Sequence, residues 1–339
     1  SQKAVMNNLF EEVRPYCVGR YLIDLPTSFS RYKLSEKMED NMWEANISRP
    51  DDLYKTYILT KKMYHPAFLQ FIQRREKELS VKKTVNIDNM PFLKKTWPLI
   101  NGGDGIIFER NEGPITSDFI RVLEGYLYTN GVVIKLQKKT INDSDPRYEK
   151  QRDGDNIRND VAKDIFQMQS LMTRLTGRDD NEIPTKPGSC ITNAFIATDP
   201  SEIEQEDISV GLRSDKLINF RLVLETDNFI SEENSVLDRM GEIKNNLAKS
   251  RGYLERKGRF SVNGLKMEEF LAVGLQEEKD DPRYRFELYV NEMNSHYKTP
   301  SLLLILDNER MAPTTYRKEE IISFWDTISH TIRLRSGAY

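Results

Sequence analysis

The sequence predicts an α+β protein of two similar domains, each a mostly antiparallel sheet packed with amphipathic helices. Three observations carry this expectation. Paired β-rich runs are joined by turn signals, above all Asn130-Gly131. Apolar residues at helical spacing close each half, and a charged, proline-containing stretch at residues 178–188 precedes a restart of the strand pattern. The 339 residues suffice for two cores of the common size, about 100–200 residues each. The expected division is an N-terminal domain over residues 1–177, a linker over 178–188 and a C-terminal domain over 189–339.

Residues 16–26 alternate, turn apolar and end at Pro26, which cannot donate to a sheet ladder, so they read as one strand. Residues 53–59 form a second candidate. Phe68, Leu69, Phe71, Ile72 and Leu79 then recur at steps of three and four opposite a charged face, which predicts an amphipathic helix lying on a sheet. The cluster Asn101-Gly102-Gly103-Asp104-Gly105 is a turn signal before the apolar Ile106-Ile107-Phe108. Asn130-Gly131 lies between Tyr126-Leu127-Tyr128 and Val132-Val133-Ile134, so a hairpin is expected, both turn residues tolerating positive φ. Residues 142–159 are almost wholly polar, with Tyr148 and Ile157 as the sizeable apolar side chains, and read as a long exposed loop. A helix carrying Val161, Ile165, Met168, Leu171, Met172 and Leu175 is expected to stop at Gly177.

After the linker, residues 190–200 echo the first strand: a cysteine leads and a proline closes. Residues 219–225 likewise echo residues 119–124. Leu237, Met240, Ile243 and Leu247 have helical spacing, residues 285–290 and 301–306 are β-rich, and Ile321, Ile322, Phe324, Trp325, Ile328 and Ile332 mark a closing helix.

Fifty Lys and Arg against 53 Asp and Glu leave no basic surplus, which removes the usual electrostatic footprint of nucleic-acid binding. The longest aliphatic run, residues 302–306, falls far short of the ~20 apolar residues that cross a bilayer. Cys17 and Cys190 alone exclude a disulfide-rich scaffold, a four-cysteine zinc site and a cysteine-ligated iron–sulfur cluster. One disulfide is arithmetically open, but two separate buried thiols are the expectation, because cysteine is among the most buried residue types.

No motif of catalysis emerges. There is no Gly-x-Ser-x-Gly elbow, and His65, His296 and His330 lie too far apart in sequence for the paired spacing of a helical zinc site. Ser80 and Lys83, like Ser30 and Lys33, have Ser-x-x-Lys spacing without the partner elements of that chemistry. Gly102, Gly103 and Gly105 lack the rest of a nucleotide loop, and the pairs Asp143/Asp145 and Asp153/Asp155 do not continue into a calcium loop. The reading is of a protein that is not an enzyme and has no catalytic residue, cofactor or metal site.

Four blocks carry a family resemblance: Cys17-Val18-Gly19-Arg20-Tyr21-Leu22-Ile23-Asp24-Leu25-Pro26; Phe68-Leu69-Gln70-Phe71-Ile72-Gln73-Arg74-Arg75-Glu76-Lys77-Glu78-Leu79; Val262-Asn263-Gly264-Leu265-Lys266-Met267-Glu268-Glu269; and Phe324-Trp325-Asp326-Thr327-Ile328-Ser329-His330-Thr331-Ile332-Arg333-Leu334-Arg335. Together they resemble the bacterial immunity proteins that neutralise phospholipase effectors delivered by type VI secretion. The third block departs from the family pattern at Met267, where a glycine commonly precedes the acidic pair. The resemblance implies a two-domain protein that grips its cognate phospholipase effector between the domains, in a one-to-one complex, and blocks lid opening or substrate access. It also implies work in the periplasm, with any export or lipoprotein signal outside this sequence. A non-catalytic adaptor of the envelope or secretion machinery is the alternative. For the contact surface, the residue pattern nominates the acidic run Asp199, Glu202, Glu204, Glu206 and Asp207, which no Lys or Arg interrupts, and Asp143, Asp145, Arg147 and Tyr148 in the long polar loop.

Overall fold

The computed structural model describes residues 2–32, 38, 43–99, 103–275 and 281–339; Lys33, Asn101 and Gly102, named above, lie outside them. The chain forms two compact units that interleave in sequence. A central unit holds Ser35–Asp179 with Asn193–Glu204, and a terminal unit holds Ser1–Leu34, Asp180–Thr192 and Gln205–Tyr339. This differs from a simple division into consecutive halves, because the first 34 residues group with the C-terminal part of the chain.

The sheet of the central unit uses β4 (Ala45–Ser48), β5 (Thr56–Lys62), β6 (Leu93–Pro98), β7 (Gly105–Asn111), β8 (Ile120–Thr129) and β9 (Val132–Ile141). They pair antiparallel in the order β4-β5-β9-β8-β7-β6. The Asn130-Gly131 hairpin forms as expected, with φ of 47° and 78° at its two turn residues and Thr129 opposite Val132. α2 (His65–Val81) lies on one face: Phe68 and Leu79 pack with Leu59, Phe108, Tyr126 and Val133 of the strands. α4 (Val161–Thr173) covers the other face, where Gly125 lets Met168 and Met172 approach. Successive side chains of a strand point to opposite faces, so Tyr126 and Gly125 serve different helices. The α4 helix stops at Thr173 rather than at Gly177. Residues Leu175–Gly177 are instead strand β10, paired with β12 (Ala194–Ala197), and no positive φ is needed at Gly177.

The polar segment 142–159 is more ordered than its composition predicts. An Asn142/Asn159 bridge closes its base, residues Pro146–Tyr148 form a 3-10 turn and α3 (Glu149–Arg152) follows. The fixing interaction is tertiary: Tyr148 is buried, its ring meets Phe119 and its hydroxyl donates to Asp118.

The terminal unit has a sheet of β13 (Gln205–Ser214), β14 (Arg221–Asp227), β15 (Tyr253–Val262), β16 (Leu265–Leu275), β17 (Pro282–Val290) and β18 (Ser301–Asp307). The antiparallel order is β15-β16-β17-β18-β14-β13, and β3 (Phe29–Arg31) adds to β13. α5 (Met240–Lys249) packs over Phe270 and Ala272 of β16. α6 (Lys318–Ser329) lies on the alternate side of that strand, buries Ile321, Phe324, Trp325 and Ile328, and donates the Trp325 indole N–H to Glu269 at 2.7 Å. α1 (Gln2–Leu9) brings Leu9 into the core.

The expected single strand over residues 16–26 is a hairpin, β1 (Val13–Val18) and β2 (Tyr21–Pro26), turning at Gly19 with φ of 54°. A glycine adopts that conformation without strain, and a Cβ there would sit 2.6 Å from Thr226 Cγ2. β19 (Arg333–Leu334) pairs with β2, tying the end of the chain to its beginning. β11 (Gly188–Ile191) carries Cys190, which is joined to Cys17 by a disulfide. This corrects the expectation of two separate thiols: burial is right for both, but Gly19 and Cys190 exchange backbone hydrogen bonds of 2.8 Å, which brings the sulfurs into register.

Candidate interaction surfaces

The nine nominated residues are mostly tied to the chain itself. In the polar loop, the Asp143 carboxylate accepts the Arg158 backbone N–H at 2.7 Å, and its carbonyl accepts from Arg152. Asp145 caps the 3-10 turn through the Arg147 N–H at 3.0 Å. The side chains of Arg147 and Tyr148 converge on Asp118, which Lys94 also reaches at 2.8 Å. Burial would raise the Asp118 carboxyl, but the hydrogen bonds from Lys94 and Tyr148 and the charges of Lys94 and Arg147 outweigh it and hold Asp118 low. Burial and the bond to Asp118 push the Tyr148 phenol up to about 12. These two residues anchor the loop, and Tyr148 has no surface to offer a partner.

The acidic run divides in the same way. Arg49 clasps Asp199 at 3.4 Å and Glu202 at 3.1 Å, and Arg174 holds Glu204 at 2.8 Å while donating to the Ala197 carbonyl at 2.8 Å. Asp199 is also held below the usual carboxylate range: the penalty of burial is exceeded by the bonds from Ser201 and the charges of Arg174 and Arg49. Glu206, in the terminal unit, takes Arg20 at 3.1 Å and the Ser189 hydroxyl at 2.6 Å. The run lacks basic residues in sequence, yet the fold supplies Arg49, Arg174 and Arg20 to it. Glu202, with its side chain 44% exposed, is the member with most surface left for a partner.

Asp207 belongs to an acidic groove that sequence reading missed. It stands directly opposite Asp227 in the β13–β14 register, and Glu225 follows two residues away on the same face. Together with Glu232, Glu292 and Arg239, and with Ile230 and Leu303, they line a groove of about 530 Å³. Asp227 is satisfied by the N–H groups of Phe229 and Ile230 and the hydroxyls of Ser295 and Ser301, at 2.8–3.1 Å. Glu292 is paired with Arg239. Partial burial and the nearby charges of Asp207 and Glu287 push the Glu225 carboxyl up, against the pull of Arg285 and Arg221. The acids at 225 and 227 share the two-residue period of a strand face, which was the signal available.

A buried ion cluster in the central unit is structural. Glu124, fully buried beneath α2, receives Arg75 at 2.7 and 2.8 Å, Arg110 at 2.8 Å and the Tyr126 hydroxyl at 2.8 Å. Among the histidines, His65 meets Asp104 at 3.0 Å and His330 stacks on Phe260 at 4.7 Å. Among the described residues no three His, Cys, Asp or Glu side chains converge in a way that would hold a metal ion, and no helix is long and apolar enough to cross a membrane.

Two family models match nearly the whole chain. Residues 14–178 match the N-terminal domain of Tle cognate immunity protein 4, and residues 182–337 match its C-terminal domain. The chain belongs to the Tle cognate immunity protein 4 family. By that family it is an immunity protein. Solved structures agree on the fold. The apo immunity protein TplEi of the type VI secretion system of Pseudomonas aeruginosa aligns with a TM-score of 0.70 at 21% identity, over 96% of this chain and 97% of that one. The crystal structure of the Tle4–Tli4 complex contributes a chain aligning at 0.71 and 21% identity, over 96% and 98%. TplEi complexed with an "L" peptide aligns at 0.66 and 20%, over 96% and 99%. Among curated proteins, none matches the sequence.

Proposed function

We propose that this immunity protein binds a cognate phospholipase effector of the type VI secretion system in a one-to-one complex and covers its working surface, so that the lid does not open or substrate does not enter. The observation that carries the reading is the match of both family domains along one chain, residues 14–178 and 182–337. The protein acts by occupancy and performs no reaction. To move a two-state lid equilibrium from 1:99 to 99:1, binding must favour the closed enzyme by about 5.5 kcal/mol. An interface of about 1,600 Å² or more is the usual means. The domain division at residues 178–188 serves this reading, each family domain contributing its own part of the contact.

The periplasm is the compartment of action. The Cys17–Cys190 disulfide supports this, since such bonds persist in oxidising compartments and are rare in the reducing cytosol. The test is co-expression with a cognate phospholipase effector directed to the periplasm. Growth rescue together with co-purification of the two chains is expected. Growth arrest despite folded immunity protein would overturn the reading.

A further inference from the structure

The loop that follows α2 and the loop between β7 and β8 meet at one end of the central unit, where the Val85 N–H donates to the Pro114 carbonyl at 2.9 Å. Around that bond four β-branched side chains stand in solvent: Val81 is 63% exposed, Val85 79%, Ile87 80% and Ile115 82%. Single exposed aliphatics are ordinary on a protein surface, but a contiguous group of this kind marks an interaction site.

The backbone that displays them is fixed. Thr84 Oγ1 donates to the Asn86 carbonyl at 2.5 Å, Asn86 Oδ1 accepts the Asp88 N–H at 2.9 Å, and the Met90 N–H returns to the Ile87 carbonyl at 3.0 Å. Buried Asn89 accepts Asn111 Nδ2 at 2.8 Å and Lys94 Nζ at 3.1 Å on its carbonyl, and the Asp118 N–H at 3.2 Å on its side chain. Arg147 donates to the Asp88 carbonyl. The aliphatic tips are therefore held outward by a hydrogen-bonded scaffold.

Charge identifies the occupant. Lys82 and Lys83, both exposed, lie between Val81 and Val85, and exposed Lys77 precedes them on α2. Most neighbouring acids are engaged: Glu78 by Arg75 at 3.3 Å, Glu112 by Lys139 at 3.4 Å and Asp118 by Lys94 and Arg147. The three lysines thus outnumber Asp88 and Glu76. Protein interfaces favour aromatic residues and Arg at their centre and are depleted in Lys. Here the exposed group is purely aliphatic and its cations are lysines: Lys82 Nζ rests 4.9 Å over the Phe92 ring, and the long lysine stems let an ammonium swing to phosphate level while aliphatic neighbours enter the acyl boundary. We propose that this tip of the central unit docks on an anionic phospholipid surface. The proposal stands apart from effector binding and places the protein on the surface that a phospholipase attacks.

The experiment is co-sedimentation of the full chain with vesicles of phosphatidylcholine containing phosphatidylglycerol, and with phosphatidylcholine alone. Binding to the anionic vesicles is expected, weakened by salt. Ile87→Ser with Ile115→Ser should weaken it by about tenfold or more. Lys82→Gln with Lys83→Gln should weaken it by about fivefold per lysine at low salt. These side chains are exposed, so unchanged thermal unfolding is expected and certifies each variant as folded. Absence of wild-type binding at low salt, or binding that both double variants retain in full, overturns the proposal. So does loss of lipase inhibition in the aliphatic variant when the wild type ignores vesicles, which would make the tip a protein contact.

Discussion

Cys17 on β1 and Cys190 on β11 are bonded across 173 residues of sequence. The bond fastens the N-terminal hairpin to the segment that precedes the large sheet of the terminal unit, beside the two backbone hydrogen bonds between Gly19 and Cys190. Closing so long a loop restricts the unfolded chain, so Cys17→Ser with Cys190→Ser should cost about 2–5 kcal/mol. Denaturant unfolding with and without reductant checks this: the wild type should fall to the stability of the double variant when reduced, and the variant should not respond.

Glu124 gives the central unit an acid-sensitive point. Burial raises its carboxyl, but the Arg75 hydrogen bonds and the charges of Arg110 and Arg75 prevail and hold it at about 2. Its folded value lies below the unfolded one, so its contribution is complete above about pH 4.5 and is lost as pH falls from there toward 2. The contribution is on the order of 3 kcal/mol. Glu124→Gln should flatten the stability profile across that window and, by leaving Arg75 and Arg110 without their anion, cost about 3–5 kcal/mol at neutral pH. Chemical denaturation across a pH series measures both.

Glu204 and Glu202 separate surface charge from structural charge. Glu204 faces Arg174 with both side chains 12% exposed, so Glu204→Lys should destabilise by about 1–3 kcal/mol, read as a lower Tm. Glu202→Lys should leave Tm almost unchanged, because an exposed pair contributes little. If the acidic run steers the effector, Glu202→Lys also slows association at low salt, which stopped-flow binding reads directly.

Trp325 is fully buried, stacks edge-on against Phe286 at 5.7 Å and donates to Glu269. Trp325→Ala should cost about 3–5 kcal/mol through the cavity alone, and more through the Glu269 carboxylate left without its donor. Urea unfolding followed by circular dichroism measures the loss.

The local elements were legible wherever local chemistry decides. Asn130-Gly131 predicts its hairpin, and the apolar stripe from Phe68 to Leu79 predicts α2, because turn conformation and helical period are properties of a few adjacent residues. The same Asn-Gly rule, applied to Asn263-Gly264, would have given the β15–β16 hairpin, whose turn residues have φ of 51° and 78°. Gly19 has no second turn residue beside it to flag a turn, and its need for positive φ becomes visible once Val18 pairs with Tyr21. The surroundings of the contact candidates were not legible for a different reason. A run of acids looks unpaired in sequence, but Arg49, Arg174 and Arg20 arrive from 30 to 186 residues away. The acidic groove, assembled from β13, β14 and the residues around Glu292, exists only after the sheet has formed.

The most direct measurement is titration of the purified chain into its cognate phospholipase while lipid hydrolysis is followed at a micelle or vesicle surface. Activity should fall linearly to zero at one equivalent, with the chain alone hydrolysing nothing. Undiminished hydrolysis at excess immunity protein, or turnover by the chain itself, would contradict the account.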